Sequence, residues 1–450
     1  MTRVKFLCLL LSIASLTACK KDKDPDGGTE LDDLLENALV VASNGQGQAF
    51  FQLPESDDYA SIPQDPLNPI TKAKVDLGEM LYHETGLALA PKMDVGKGTF
   101  SCASCHFASA GFQAGRLQGI GDGGIGLGFN GEGRIRDNMY PGDSLDVQPI
   151  RSPSTLNVAY QSNMLWNGQF GATGVNIGTE SQWKDGTPIA VNKLGYEGVE
   201  VQAIAGLTVH RLVIDPDFIT ETNYKPFFDA AFPDVPESDR YDRERAGLAI
   251  AAYERTLLSN RSPFQEWLKG QKNAMSEAEK RGAVLFFDKA QCGSCHTGPA
   301  LSSMTFHALG MGDLYQCSEE TFQSSAESGA NLGRGGFTKV DAELFQFKTP
   351  QLYNLKDSPF YGHGSSFRSI EEVVEYKNRA WPQNTNVPAN RLSDEFVPLR
   401  LTDQEIRDIT SFLTNSLHDP ELMRYQPETL LSGQCTPFND QRAKDELGCN

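Results

Sequence analysis

Apolar residues recur at helical spacing in several stretches of the chain. From Ile70 to Tyr82, positions 70, 73, 77, 80 and 81 fall on one face, which predicts a helix. Ser276 with Glu279 makes a capping box, and Ala283, Phe286 and Phe287 share one face of the helix that follows. The run 244–258 reads as a strong amphipathic helix. Thr402 with Glu405 caps a C-terminal helix whose apolar stripe is Ile406, Ile409, Phe412 and Leu413. The Gly-rich run 119–133 adjoins no strand and reads as a flexible loop, not a phosphate cradle. A mainly α chain is predicted.

The start of the chain follows a different pattern. Arg3 and Lys5 precede an apolar run from Phe6 to Leu16, and Leu16-Thr17-Ala18-Cys19 resembles the lipobox of bacterial lipoproteins. Residues 1–19 are therefore expected to be a cleaved signal, with Cys19 as the lipid anchor. Residues 20–55 are expected to be a flexible tether. The anchor would hold the protein in the cell envelope, on the outer membrane facing the periplasm or the surface, without a transmembrane helix. No later apolar run approaches the roughly 18–20 residues of a membrane span.

Composition narrows the partners. Hydrophobic residues make up 39% and charged residues 22%, as in a soluble globular protein. Forty Lys and Arg against 59 Asp and Glu give a net charge of −19, which argues against nucleic acid and suits a basic redox partner steered by charge.

The chemistry lies in Cys102-Ala103-Ser104-Cys105-His106 and Cys292-Gly293-Ser294-Cys295-His296. Two thiols three positions apart reach the two vinyl groups of one heme, and the adjacent imidazole becomes the proximal iron ligand. A zinc site would need a further ligand pair at suitable spacing, and neither motif has one nearby. Two heme c groups are thus expected, with His106 and His296 on iron. A helix ending in an apolar-aromatic turn precedes each motif, an internal repeat that predicts two cytochrome-c-like domains packed around a common interface. They are expected at 56–262 and 263–425, with a C-terminal tail over 426–450. Cys317, Cys435 and Cys449 remain; Cys435 and Cys449 are the closest pair in sequence, but spacing does not fix the pairing.

Further segments resemble the bacterial diheme cytochrome c peroxidase and MauG family over roughly residues 60–420. They are Pro153-Ser154-Thr155-Leu156-Asn157-Val158-Ala159-Tyr160, Trp166-Asn167-Gly168, Glu200-Val201-Gln202-Ala203, Phe347-Lys348-Thr349-Pro350-Gln351-Leu352-Tyr353-Asn354 and His363-Gly364-Ser365 with Ile370 to Glu375. The resemblance implies a peroxidatic N-terminal heme and an electron-accepting C-terminal heme. It also implies Trp166 as the relay between them and Gln202 in the distal pocket. His363 and His307 would support the second heme by hydrogen bonds. His83 and His418 are expected at the surface or at helix ends.

The chain departs from the family in four places. No His lies between His106 and His210, so the family's displaceable distal His is missing and the first iron is expected to keep an open face. The stretch that carries the family's catalytic Glu reads Gly206-Leu207-Thr208-Val209-His210-Arg211; His210 is the expected proton shuttle and Arg211 the stabiliser of developing negative charge. By strict alignment Lys377 takes the position of the family's distal Met or Tyr at the second heme, with Tyr376 adjacent and Met304 and Met311 as outside candidates. Arg151 stands where the family has an Asn that binds an interdomain calcium ion, which places calcium in question.

The expected function is reduction of hydrogen peroxide to water, with electrons from a small cytochrome or cupredoxin passing from the second heme to the first. The alternatives are a MauG-like diheme oxidase of an organic or protein substrate, and a non-catalytic electron-transfer lipoprotein. A homodimer is among the partners to be tested.

Overall fold

The computed structural model describes residues 29–449. In chain order the helices are α1 (Glu30–Ala42), α2 (Lys72–His83), α3 (Gly198–Val209), α4 (Pro216–Glu221), α5 (Lys225–Ala231), α6 (Glu237–Arg240), α7 (Arg243–Arg255), α8 (Pro263–Leu268), α9 (Glu277–Phe287), α10 (Gly333–Thr338), α11 (Ile370–Arg379), α12 (Asp403–Ser411) and α13 (Gln441–Leu447). Strand is confined to two-residue antiparallel pairs: Gly124–Ile125 with Ile135–Arg136, and Phe306–His307 with Phe347–Lys348. The expected helices form close to their predicted bounds. The Ser276–Glu279 and Thr402–Glu405 capping boxes are both closed. The stripe Ile406, Ile409, Phe412 and Leu413 is buried.

Two copies of one scaffold hold the interior together. In the first, α2 crosses α7 at Gly78, where an added Cβ would lie 2.0 Å from the carbonyl oxygen of Ala249. In the second, α9 crosses α12 at Gly282, where it would lie 2.0 Å from that of Asp408. Only glycine lets the backbones approach so closely. Each crossing is tied to an asparagine in the left-handed region, Asn157 at φ 56° and Asn354 at φ 55°. Asn157 N–H donates to Leu257 O at 2.8 Å, and its Oδ1 accepts from Ser259 N at 3.1 Å. Asn354 repeats both bonds, to Leu417 O at 2.9 Å and from Asp419 N at 3.3 Å. The internal repeat thus extends well beyond the cysteine motifs.

The two chain ends correct the expected organisation. From residue 30 the stretch 20–55 is folded, not a tether. Leu35 and Leu39 of α1, with Phe51, are fully buried in the cluster that holds Trp267, Phe286 and Phe412. Asp32 is buried as well, accepting from Trp267 Nε1 at 2.7 Å and pairing with Lys280 at 2.7 Å. The stretch 426–450 is likewise no loose tail. A Cys435–Cys449 disulfide closes it, and Phe438 and Ala443 bury against Phe107, Ala110 and Leu127 beside the first motif. Ser104 Oγ donates to Pro437 O at 2.7 Å. The start of the described chain therefore packs on the second half and its end on the first. The expected signal segment, residues 1–19, and Cys19 lie outside the described residues.

Candidate functional site

Each motif forms a short 3-10 turn, Cys102–Ser104 and Cys292–Ser294, with its histidine directly after the second cysteine. None of the four cysteines is in a disulfide. Burial pushes the Cys105 thiol up to about 12 and the Cys292 thiol up to about 11. His296 Nδ1 faces two carbonyl oxygens, Leu301 at 3.1 Å and Pro350 at 3.0 Å. Two acceptors require Nδ1 to carry the proton, which leaves the Nε2 lone pair free for a metal. His106 is the counterpart. Its Nδ1 is buried and looks towards the carbonyls of Phe112 and Pro153 without closing a hydrogen bond of normal geometry. Burial holds both imidazoles near 4, hence neutral, the form that ligates. Paired free thiols beside a buried neutral imidazole fit heme c at both sites.

Beside the first motif, α3 brings three positions together. Gln202, Gly206 and His210 follow one another at four-residue spacing, so they share a helix face. A Cβ on Gly206 would lie 3.6 Å from Gln202 Nε2 and 3.9 Å from His210 Cδ2; glycine keeps the space between the two polar side chains clear. Gln202 Oε1 is buried with no hydrogen-bond partner. His210 bears electrostatically on His106, so both imidazoles belong to one local site.

His210 has a partner that the sequence did not disclose. Its Nδ1 lies 2.9 Å from Asp146 Oδ2 and 3.1 Å from Oδ1. Burial disfavours a charged imidazole here, but the Asp146 carboxylate outweighs it and holds His210 above its ordinary range. Asp146 is fixed in turn by backbone bonds to the Gly-rich segment: Gly121 N donates to Asp146 O, and Asp146 N to Asp122 O, both at 2.9 Å. A side chain on Gly121 would run into Asp146 Oδ2 at 2.6 Å.

That segment is not the flexible loop expected over 119–133. Buried Arg134 donates from Nε to Ile120 O at 2.6 Å and from Nη2 to Gly121 O at 2.8 Å, and pairs with Asp440 at 3.1 Å. Arg211 also departs from expectation. Its Nη1 pairs with the buried Asp122 carboxylate and donates to Ser144 O at 2.9 Å. The guanidinium is thus committed to the loop that carries Asp146, an anchoring role in place of free charge stabilisation. His83 is no surface residue: it is fully buried, 3.2 Å from Tyr253 OH, and burial drives it down to about 3.

Trp166 is gripped from both halves. Its Nε1 donates to Arg151 O at 2.8 Å, its carbonyl accepts from Lys348 N at 2.7 Å, and its ring meets His363 edge-on at 6.3 Å. His363 stacks on Phe347 at 3.6 Å and pairs with Asp313 at 3.0 Å. Buried Arg151 donates to Gln113 Oε1 at 2.8 Å, Ser358 Oγ at 2.7 Å and Arg116 O at 3.1 Å. A guanidinium therefore occupies the junction. Among the described residues no cluster of three His, Cys, Asp or Glu is arranged to hold a metal ion.

The second pocket is built differently. Tyr376 is buried between Phe367 and Phe396 and spends its hydroxyl on Leu309 O at 2.5 Å. Lys377, the next residue, makes no ion pair or hydrogen bond among the described residues, and its charge bears on Cys292, Cys295 and His296. His307 Nε2 lies 2.9 Å from Thr305 Oγ1 and 3.5 Å from Cys295 Sγ. His418, at a helix end as expected, pairs with Asp357.

Fold and site together define a mainly α protein with two Cys-x-x-Cys-His turns, one of which shares its site with the His210–Asp146 pair. Comparison with known proteins makes the class specific. The family model described as di-haem cytochrome c peroxidase matches residues 72–273. The chain is 29% identical to cytochrome-c peroxidase IdrP1 of Denitromonas iodatirespirans, over 89% of this chain and 96% of that one. It is 28% identical to methylamine utilization protein MauG of Methylorubrum extorquens, over 83% of this chain and 85% of that one. The fold matches the crystal structure of a MauG-like protein associated with microbial copper homeostasis, with a TM-score of 0.54 and 23% identity, over 82% of this chain and 96% of that one. The chain is related to the di-haem cytochrome c peroxidases and MauG proteins, a family of peroxidase-type oxidoreductases.

Proposed function

We propose that the chain is a diheme cytochrome c peroxidase that reduces hydrogen peroxide to water with electrons from an external small cytochrome or cupredoxin. When bound, the second heme c supplies the entry point for electrons and the first supplies the iron at which the O–O bond breaks. The observation that supports this reading best is the His210–Asp146 pair on the helix face shared with Gln202 and Gly206.

Asp146 accepts a hydrogen bond from the Nδ1–H of His210, which leaves Nε2 to take a proton from the near oxygen of peroxide and return it to the departing one. Gln202, with an unpaired amide oxygen, orients the bound peroxide from the adjacent turn. Gly206 leaves room for it between the two side chains. Arg211 and Asp122 keep Asp146 in place. Trp166, held by Arg151 on one side and His363 on the other, is the route between the halves. Calcium is not part of this reading, because the Arg151 guanidinium already binds the oxygen atoms at the junction.

The test is stopped-flow mixing of the reduced, heme-loaded protein with peroxide. The peroxidase reading expects both hemes to reoxidise far faster than free heme c, and it is lost if they do not. Trp166→Phe should slow re-reduction of the first heme and leave its first encounter with peroxide unchanged. The proposed envelope location rests on Cys19; Cys19→Ala should release the protein from the membrane fraction.

A further inference from the structure

We propose that the ε-amine of Lys377 is the distal axial ligand of the second heme iron, opposite His296. The assignment rests on the reading that both cysteine motifs carry heme, and it settles which side chain completes the second site. Ser369 and Glu372 close a capping box that fixes the start and hence the register of α11. Within that register Tyr376 is buried in the Phe367–Phe396 cluster and its hydroxyl is already spent on Leu309 O. One residue further is a rotation of about 100°. That step turns Lys377 away from Leu309 and over the Phe396 ring, where the two cysteines and the histidine of the attachment motif all feel its charge.

Other basic side chains nearby have acidic partners: Arg379 pairs with Glu375 at 2.7 Å and Lys289 with Glu405 at 2.6 Å. Lys377 has none among the described residues. Its Nζ lies 5.4 Å from the Phe396 ring centroid, a contact that steers the stem without consuming the amine lone pair. The carboxylate that bears on Lys377, Glu395, is largely exposed and lies 3.5 Å from His307. Three of the rival donors are committed elsewhere. His363 is stacked on Phe347 and paired with Asp313, His307 is held by Thr305 and Cys295, and Met311 packs against the Phe367–Tyr376–Phe396 cluster. An amine on the sixth position would close the second iron to peroxide and leave it an electron relay, while the first iron stays open.

The experiment uses the full heme-loaded chain from a host that matures c-type cytochromes. Heme content is measured by pyridine hemochrome, and ligation by low-temperature electron paramagnetic resonance and near-infrared magnetic circular dichroism. Wild type should carry two hemes and show a histidine–amine charge-transfer band. Lys377→Ala should keep two hemes and lose one low-spin signal. Lys377→Arg, which retains the charge but cannot ligate, should lose it equally. Tyr376→Phe and Met304→Leu should leave both signals unchanged. If Lys377→Ala and Lys377→Arg keep the wild-type spectrum with two hemes bound, the ligand assignment is overturned while the heme reading stands. If wild type carries fewer than two hemes, the reading beneath it fails first. Loss of the signal in Tyr376→Phe or Met304→Leu, and not in Lys377→Ala, would also overturn the assignment.

Discussion

The two halves of the molecule share what grips a heme and differ in what looks at it. Gly78 and Gly282 set the same helix crossing, and Asn157 and Asn354 repeat the same backbone turn. Behind His106 and His296 stand the carbonyls of Pro153 and Pro350, each four residues before its asparagine. Across from these matched elements the halves diverge. The first half offers an amide, a gap and a histidine–aspartate pair, all polar and none committed to a metal. The second offers packed aromatic rings and one unpartnered amine. A duplicated scaffold therefore supplies attachment and the proximal ligand, and function is assigned on the other face by a few side chains.

The largest effect should come from breaking the shared element. Gly78→Ala or Gly282→Ala puts a methyl 2.0 Å from a carbonyl oxygen, so the helices must separate. We expect a loss of about 3 kcal/mol or more in either half, read as a fall in thermal midpoint and in heme retention. Equal damage from both substitutions supports structural equivalence; a harmless Gly282→Ala would break it. The next largest should fall on one half alone. His210→Gln is expected to slow the reaction with peroxide ~10²–10⁴-fold, the range for a lost general acid–base, with second-heme spectra unchanged. A loss under about threefold would remove His210 from the chemistry.

What the sequence disclosed follows the same division. The scaffold was legible because its signals are local: two Cys-x-x-Cys-His motifs, two capping boxes and an apolar stripe at helical spacing. Even the Pro-x-x-x-Asn repeat, Pro153–Asn157 and Pro350–Asn354, lies in the segments that resemble the family. The pocket was legible only in part. Gln202 and His210 were found by resemblance, but Asp146 lies 64 residues from His210 in a polar run without periodicity. Nothing local marks it as a partner. The Arg211–Asp122 ion pair was hidden likewise, because it spans 89 residues. The two termini were misread for a related reason. Charged composition made 20–55 resemble a tether, yet the apolar face of α1 and the buried Asp32–Lys280 pair are satisfied only by tertiary partners. His83 ends a helix in sequence but lies in the core, at the place matched in the second half by Phe287.

Smaller effects sharpen the contrast within the first half. Asp146→Asn should cost about tenfold in peroxide reactivity and move its acid limb. The base form of His210 is the reactive one, and the Asp146 carboxylate raises its pKa. Removing that charge therefore shifts the acid limb of the rate profile to lower pH. An unmoved limb would mean that His210 is not the titrating group.

The smallest effect at neutral pH is the most specific to one half. His83 is neutral in the fold and driven down to about 3 by burial, whereas unfolded histidine titrates near 6.5. Its contribution to stability is present above that unfolded value and is lost as pH falls towards 3, with a limiting slope of about 1.4 kcal/mol per pH unit. His210, raised by Asp146, acts in the opposite sense: its contribution is full below about 6.5 and is lost as pH rises through the folded value. The second half has Phe287 in place of His83, so acid should loosen the first half first. His83→Gln retains polar atoms that can reach Tyr253 and Thr436 and removes the titration. Urea midpoints measured from pH 7 down to about 4 should fall less steeply in this variant, and the first heme's spectrum should persist to lower pH. If the slopes coincide, the acid sensitivity of the molecule belongs to carboxylates common to both halves, and His83 does not distinguish them.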